Sequence, residues 1–96
     1  MENYIVSLDY DYVGLTFIIN EVKHLHRKFN IPFDVFDSSD LHFHIRSTQP
    51  IEKDLAFKIL DASRCSKDYK NFCKKMQLFP IRTGQKIQYH EGKETD

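Results

Sequence analysis

Two segments of the chain alternate apolar and polar residues with a period of two, which predicts β-strands. The first covers residues 4–10 and the second residues 41–47. Because the side chains of a strand alternate between its faces, Asp9 and Asp11 share one face and Leu8 points to the other. The polar residues of the second segment also share one face: His42, His44 and Arg46. Each strand therefore has one face suited to a core and one face with ionisable groups.

Helical periodicity follows the first strand. Apolar residues three and four apart from Leu15 to Phe29 predict an amphipathic helix of about 17 residues. Pro32 disfavours helix in the residue before it, so we expect the helix to end near Asn30. Residues 33–37 are then predicted to form a second strand, which a turn at residues 38–40 joins to the strand at 41–47.

Two further helices are predicted in the second half of the chain. Thr48 can cap the first of them, with Pro50 in its first turn, and its apolar spacing continues to about Ala62. Ser66 can cap a short helix with an apolar stripe that begins at Tyr69.

The chain is predicted to end in two short strands, residues 79–82 and 86–89, around a turn at residues 83–85. The element order predicts an α+β fold, a ferredoxin-like or RRM-like sandwich with helices on one face of an antiparallel sheet. We expect one domain over residues 1–90 and a polar tail over residues 91–96. This topology places the first and third strands side by side at the centre of the sheet, so the aspartates and histidines meet on its open face.

Composition limits the class of protein. The chain has 96 residues, of which 41% are hydrophobic and 14% aromatic, enough for one modest core. It contains no apolar run of about 20 residues, so we expect no membrane-spanning helix and no membrane partner. The first residues do not resemble a signal peptide, and Cys65 and Cys73 are too few for a disulfide scaffold. These features predict a cytoplasmic protein, in the host cytoplasm if it is viral.

Charge is divided unevenly along the chain, although the formal net charge is zero. Residues 1–45 contain three Lys or Arg and seven Asp or Glu, whereas residues 46–90 contain ten and four. An acidic half next to a basic half suits a metal site beside a phosphate-binding surface. Alternatively, the lysines near residue 70 are simply a solvated helix face.

The candidate chemistry lies in the two polar pairs. Asp9 and Asp11 could hold Mg²⁺ or Mn²⁺, hard cations that prefer oxygen ligands. Alternatively they are turn residues, with Asp11 capping the first helix. His42 and His44 could ligate a metal or contact a phosphate, or they could be the exposed polar face of a half-buried strand.

Other residues of the second half are candidates for binding phosphate. Arg64, Arg82 and Lys86 carry the required charge, and arginine can donate two parallel hydrogen bonds to phosphate oxygens. A plain hairpin with basic flanks explains Arg82 and Lys86 equally well. Tyr69 could be a nucleophile or a core aromatic.

Two motifs resemble those of archaeo-eukaryotic primases. Residues 6–11 resemble the first motif, an apolar strand that ends in Asp-x-Asp, and residues 38–45 resemble the second, a serine-containing turn followed by a histidine. The resemblance implies that Asp9 and Asp11 bind catalytic metal and that His44 contacts the phosphates of a nucleotide. Ser38, His42 and Arg46 would line the same phosphate site.

The resemblance is incomplete. Leu60-Asp61 matches the third motif in letters only, because it lies at a predicted helix end rather than on a strand. The glycines usual in the turn of the second motif are absent, and so is the second α/β unit of a complete primase core.

His42-Phe43-His44 also resembles the His-hydrophobe-His motif of rolling-circle nicking endonucleases. That resemblance implies that both histidines bind metal and that Tyr69 attacks DNA, with Lys70 or Lys74 nearby.

The leading hypothesis is a small primase-like domain of viral or plasmid replication that binds nucleotides and single-stranded DNA or RNA and catalyses metal-dependent nucleotidyl transfer. A partner replication protein or a homodimer could complete it. The alternatives are the nicking endonuclease and a non-catalytic nucleic-acid-binding or regulatory module.

Overall fold

The computed structural model describes residues 2–87, which form six strands and three helices. The strands are β1 (Asn3–Tyr4), β2 (Ser7–Asp11), β3 (Phe33–Ser39), β4 (His42–Ser47), β5 (Ile51–Glu52) and β6 (Gln85–Ile87). The helices are α1 (Leu15–Phe29), α2 (Lys53–Ala62) and α3 (Lys67–Met76). The last residues of the predicted strand 86–89 and the predicted tail 91–96 lie outside the described part of the chain.

The strands form two antiparallel sheets, one of four strands in the order β2-β4-β3-β6 and one that pairs β1 with β5. This α+β architecture is compatible with the predicted ferredoxin-like sandwich. The first and third predicted strands, β2 and β4, are neighbours as expected. The prediction that both are central is wrong for residues 2–87. There β6 pairs with β3 rather than β2, so β2 lies at the edge of the sheet.

One face of the larger sheet carries the hydrophobic core. Leu8, Val35 and Ile45 lie on it and are 0–1% exposed. Ile18, Val22 and Leu25 of α1, and Ala56, Ile59 and Leu60 of α2, belong to the same buried cluster. Each fully buried Val, Leu or Ile side chain in this cluster contributes about 1.5–3 kcal/mol. The sheet therefore keeps its other face for polar residues.

The end of α1 follows the prediction. Asn30 adopts the left-handed conformation (φ 59°), and its N–H donates to the His26 carbonyl at 2.7 Å. Asparagine tolerates this conformation, which satisfies a carbonyl at the helix end. The helix has 15 residues, two fewer than predicted.

The start of α2 differs from the prediction that Thr48 caps it. Ile51 and Glu52 pair with β1, which keeps them extended, so the helix begins only at Lys53. The Glu52 carboxylate accepts from the backbone N–H of Asp54 at 2.9 Å and takes over the capping role. The cap predicted for α3 is confirmed, because Ser66 Oγ accepts from the Tyr69 N–H at 3.2 Å.

Two strand predictions also differ from the structure. The first is interrupted after Tyr4, where the Val6 N–H donates to the Ser47 hydroxyl at 3.0 Å rather than to a strand carbonyl. The predicted strand 79–82 is absent, because residues 79–84 have no regular structure and do not form a hairpin with β6. Instead, Phe79 packs in the core against Tyr4 and Phe57, and the Arg82 side chain contacts Asp9 on the polar face of the sheet.

Two further features concern the whole described chain. None of the helices within residues 2–87 is both long and apolar enough to cross a membrane. Cys65 and Cys73 are buried free thiols. Burial raises the pKa of Cys65 to about 11, so this thiol is protonated at neutral pH.

Candidate functional site

The polar residues of β2 and β4 face one another in register. Asp9 is paired with His44, and Asp11 with His42. Ser7 is paired with Arg46 at the other end of the two strands. Directly opposite residues have Cβ atoms about 4.5–5.5 Å apart, so these side chains form one continuous surface. The predicted convergence of the aspartates, histidines and arginine is therefore confirmed.

His44 is fully buried and both of its ring nitrogens are engaged. Nε2 lies 3.4 Å from Arg46 Nη2, which can only donate, so in the neutral ring Nδ1 carries the proton. Nδ1 then donates to Ser38 Oγ at 2.8 Å. Burial, together with the charges of Arg46 and Arg82, lowers the pKa of His44 to about 4. His44 is thus a neutral imidazole with a fixed tautomer.

Phe36 joins this group from β3, where it is paired directly with His44. The two rings stack with their centroids 4.9 Å apart and nearly parallel planes. The Arg46 guanidinium carbon lies 4.3 Å from the centroid of Phe36, a cation–π geometry. Phe36 was not among the predicted site residues, although it alternates with the core residue Val35 and therefore faces the polar side.

Asp9 is bound to an arginine that is distant in the sequence. Its Oδ2 accepts from Arg82 Nε at 2.6 Å. Its other oxygen, Oδ1, is buried and has no hydrogen-bond partner in the structure. Burial raises the pKa of Asp9, the Asp11 charge adds to this effect, and Arg82 opposes it.

Asp11 and His42 form a second, more exposed pair. His42 Nδ1 lies 2.7 Å from Asp11 Oδ1, so Nδ1 donates and the lone pair of the neutral ring is on Nε2. Tyr12, which is 80% exposed and left-handed at φ 58°, contacts the His42 ring edge-on at a centroid distance of 5.0 Å. The aspartate therefore fixes the orientation of the imidazole.

A surface cavity of about 270 Å³ lies over this arrangement. It is lined by Asp9, Asp11, Ser38, Ser39, His42, Phe43 and Arg82. A cavity with two carboxylates, an imidazole, two hydroxyls and a guanidinium suits a small, highly charged ligand.

Lys86 and Arg64 do not line this cavity, although Arg64 lines a neighbouring one together with Asp9 and Asp11. Lys86 is paired with Phe36 on the same sheet face, and its Nζ lies 3.4 Å from Asp34 Oδ2. Arg64 donates from its backbone N–H and its Nε to the buried carboxylate of Glu21, at 2.6 and 3.0 Å. The Glu21 interaction anchors the connection between α2 and α3.

The contacts of Tyr69 and Asp61 indicate structural roles for both residues. The Tyr69 hydroxyl donates to the Ser7 carbonyl at the edge of β2, and burial raises the pKa of Tyr69 above its usual value. Asp61 is exposed on α2 and accepts from Lys74 Nζ at 2.5 Å. The site cavity is lined by neither residue, so the letters Leu60-Asp61 add no third carboxylate to it.

The carboxylate pair is compatible with a hard cation. Within residues 2–87, no group of three or more His, Cys, Asp or Glu side chains is arranged to hold a metal ion. Mg²⁺, however, commonly uses one or two carboxylates and completes its shell with substrate phosphates and water. The buried Asp9 Oδ1, which lacks a partner, is an acceptor of the required type.

Comparison with known proteins gave no match to a family model, to a curated protein or to a solved structure.

Proposed function

We propose that this protein is a primase-like domain that binds a nucleotide with Mg²⁺ or Mn²⁺ at the cavity over β2 and β4. The register of Asp9 opposite His44, together with the hydrogen bond from His44 to Ser38, carries the proposal. The first feature joins the two motifs that resemble those of archaeo-eukaryotic primases, and the second lies within the second motif. Asp9 and Asp11 of the first motif and Ser38 of the second line one cavity, as a retained nucleotide site requires.

Asp9 and Asp11 would hold the metal ion, which supplies charge neutralisation at phosphate oxygens when bound. The buried, neutral His44 would act as a positioning residue, because its two nitrogens hold Ser38 and the guanidinium of Arg46. Arg46 and Arg82 would stabilise negative charge on the phosphates. Catalysis would then rest on positioning and electrostatics rather than on a covalent intermediate.

Single-stranded DNA or RNA is the proposed second substrate, and a viral or plasmid replication system in the cytoplasm is the proposed setting. The support is the excess of basic residues between residues 46 and 90. Basic side chains attract the phosphate backbone without regard to sequence. A partner replication protein or a second copy of the chain is proposed to complete the site.

The test is one reaction with labelled single-stranded DNA, Mn²⁺ and nucleoside triphosphates, resolved on a denaturing gel. The wild type should give products longer than the input. Asp9→Asn combined with Asp11→Asn should give none, whereas Asp40→Asn, a matched control in the exposed turn before β4, should behave as wild type. Extension that persists in the double variant would refute the proposal.

The nicking-endonuclease alternative has less support. His44 has no free nitrogen for a metal, and the Tyr69 hydroxyl is engaged with the Ser7 carbonyl. In the same reaction, shortened DNA with label attached to the protein, lost in Tyr69→Phe, would establish that alternative.

One observation favours a non-catalytic binding module as the second candidate. Arg82 already neutralises Asp9 at 2.6 Å, as a structural ion pair would. Tight binding of single-stranded nucleic acid by both the wild type and the Asp9/Asp11 double variant, without any product, would identify such a module.

A further inference from the structure

The segment of residues 79–84 begins at Phe79, which is buried in the core, and reaches the polar face of the sheet at Arg82 and Gly84, where it covers part of the candidate site. Arg82 makes two contacts there: its Nε with Asp9 Oδ2 at 2.6 Å, and its carbonyl with Arg46 Nη2 at 2.8 Å. Gly84 continues the same path, and a Cβ built on it would lie 2.9 Å from His44 Cε1. We call residues 79–84 the strap.

The polar groups on the face that the strap contacts are incompletely satisfied. Three buried atoms have no hydrogen-bond partner among the described residues: Ser7 Oγ, Asp9 Oδ1 and Arg46 Nε. They belong to neighbouring positions on β2 and β4, since Ser7 is paired with Arg46 and Asp9 is next along the same face. A buried polar atom without a partner is costly, so this arrangement favours a polar ligand that would satisfy these groups.

The Arg82 guanidinium stands where a cation would bind Asp9. It is 59% exposed, whereas the Asp9 side chain is 16% exposed, so the arginine reaches inward from solvent to a largely buried carboxylate. Because the arginine is largely exposed to solvent, a competing cation can approach Asp9 and exchange with Arg82.

We propose that the strap is a gate in which Arg82 and a divalent cation compete for Asp9. In the closed state Arg82 is the counter-ion of Asp9. When the cation arrives with a nucleotide, it takes Asp9, and the released Arg82 binds the phosphates beside Arg46. This inference rests on the proposed function and assigns Arg82 two successive partners, a carboxylate and then a phosphate.

The test measures Mn²⁺ binding by calorimetry, with and without a non-hydrolysable nucleoside triphosphate analogue. Without nucleotide, Arg82→Gln should bind Mn²⁺ about five- to tenfold more tightly than wild type, because the competing charge is gone. With Mn²⁺ present, the same variant should bind the nucleotide about tenfold more weakly, because a phosphate contact is lost. Arg27→Gln, an exposed arginine in the last turn of α1, is the matched control and should resemble wild type.

The possible outcomes distinguish failure of the gate from failure of the proposed function. Equal Mn²⁺ affinity in wild type and Arg82→Gln, abolished in both by Asp9→Asn, would overturn the gate and leave the metal site standing. Absence of Mn²⁺ binding in every variant would overturn both. A second measurement follows the NMR signal of the Gly84 backbone amide in the wild type. It should shift when Mg²⁺ and nucleotide are added together, and an unchanged signal at saturation would contradict opening of the strap.

Discussion

Asp9 and His44 lie directly opposite each other on two antiparallel strands, although 35 positions separate them in the sequence. The carboxylate is bound by Arg82 at 2.6 Å, and the imidazole is held by Ser38 at 2.8 Å. The pair thus joins the start, the middle and the end of the described chain in one polar cluster. It is this cluster, rather than either motif alone, that supports the proposal of a nucleotide site.

Ser38, near the end of β3, should fix the tautomer of the His44 imidazole. Ser38→Ala removes the acceptor of the Nδ1 proton, so we expect a loss of about 1 kcal/mol in the free energy of unfolding. We also expect a change in the tautomer equilibrium of His44, visible in the ¹⁵N signals of its ring. Urea denaturation measures the first effect. Ser39→Ala, which alters a neighbouring hydroxyl of the same cavity, should leave both quantities unchanged. Equal behaviour of the two variants would contradict the assigned role.

His44 should make stability depend on pH between about 4 and 6.5. In this window the unfolded chain binds a proton at this histidine and the folded protein does not. Stability therefore falls as the pH decreases from 6.5 to about 4 and is affected no further by this group below that value. The slope from one group is at most about 1.4 kcal/mol per pH unit.

The difference in pH slope between the wild type and His44→Gln isolates this contribution from that of Asp9, whose raised pKa acts in the opposite direction. His24→Gln, on the exposed face of α1, is the control and should keep the slope of the wild type. A direct titration of the His44 ring by NMR should give a midpoint near pH 4. A midpoint near the ordinary histidine value would contradict the buried, neutral state.

Gly84 should be required for the strap to lie against the sheet. A Cβ at this position would lie 2.9 Å from the His44 ring and 3.0 Å from the Asp37 carbonyl oxygen, closer than van der Waals contact allows. We expect Gly84→Ala to lower the free energy of unfolding by about 1–3 kcal/mol, because a rigid ring and a strand backbone must shift. Thermal and urea denaturation measure this loss.

Gly14→Ala is the matched control for that experiment. A Cβ on Gly14, at the start of α1, meets no atom within 4 Å. Its stability should therefore change by less than about 1 kcal/mol. If the two alanine variants were equally stable, the close packing of the strap on His44 would be incorrect.

The part of the site that alternation governs could be predicted from the sequence. Once β2 and β4 are neighbours, the period of two decides which side chains meet, so Asp9, Asp11, His42 and Arg46 were placed correctly. The pairing itself followed from the order of elements. The position of β2 at the edge did not, because it depends on which strand the short β6 joins.

The contacts of residues 79–84 could not be predicted in the same way. Their apolar and basic residues resemble a short strand, but Arg82 and Gly84 are held by individual contacts with Asp9 and His44. Such contacts between distant segments have no local pattern. The predicted start of α2 was wrong for a similar reason, since pairing of Ile51 and Glu52 with β1 overrides the capping preference of Thr48.

The most direct test of the central claim locates the metal and nucleotide on the protein. Mn²⁺ broadens NMR signals of nearby nuclei, so it can be added in small amounts to ¹⁵N-labelled protein saturated with a non-hydrolysable nucleoside triphosphate analogue. We predict that the backbone amides of Asp9, Asp11, Ser39 and His42 broaden first, and that this selectivity disappears in the Asp9→Asn, Asp11→Asn variant. Broadening that begins at other carboxylates, or that is the same in the variant, would contradict a nucleotide site between β2 and β4.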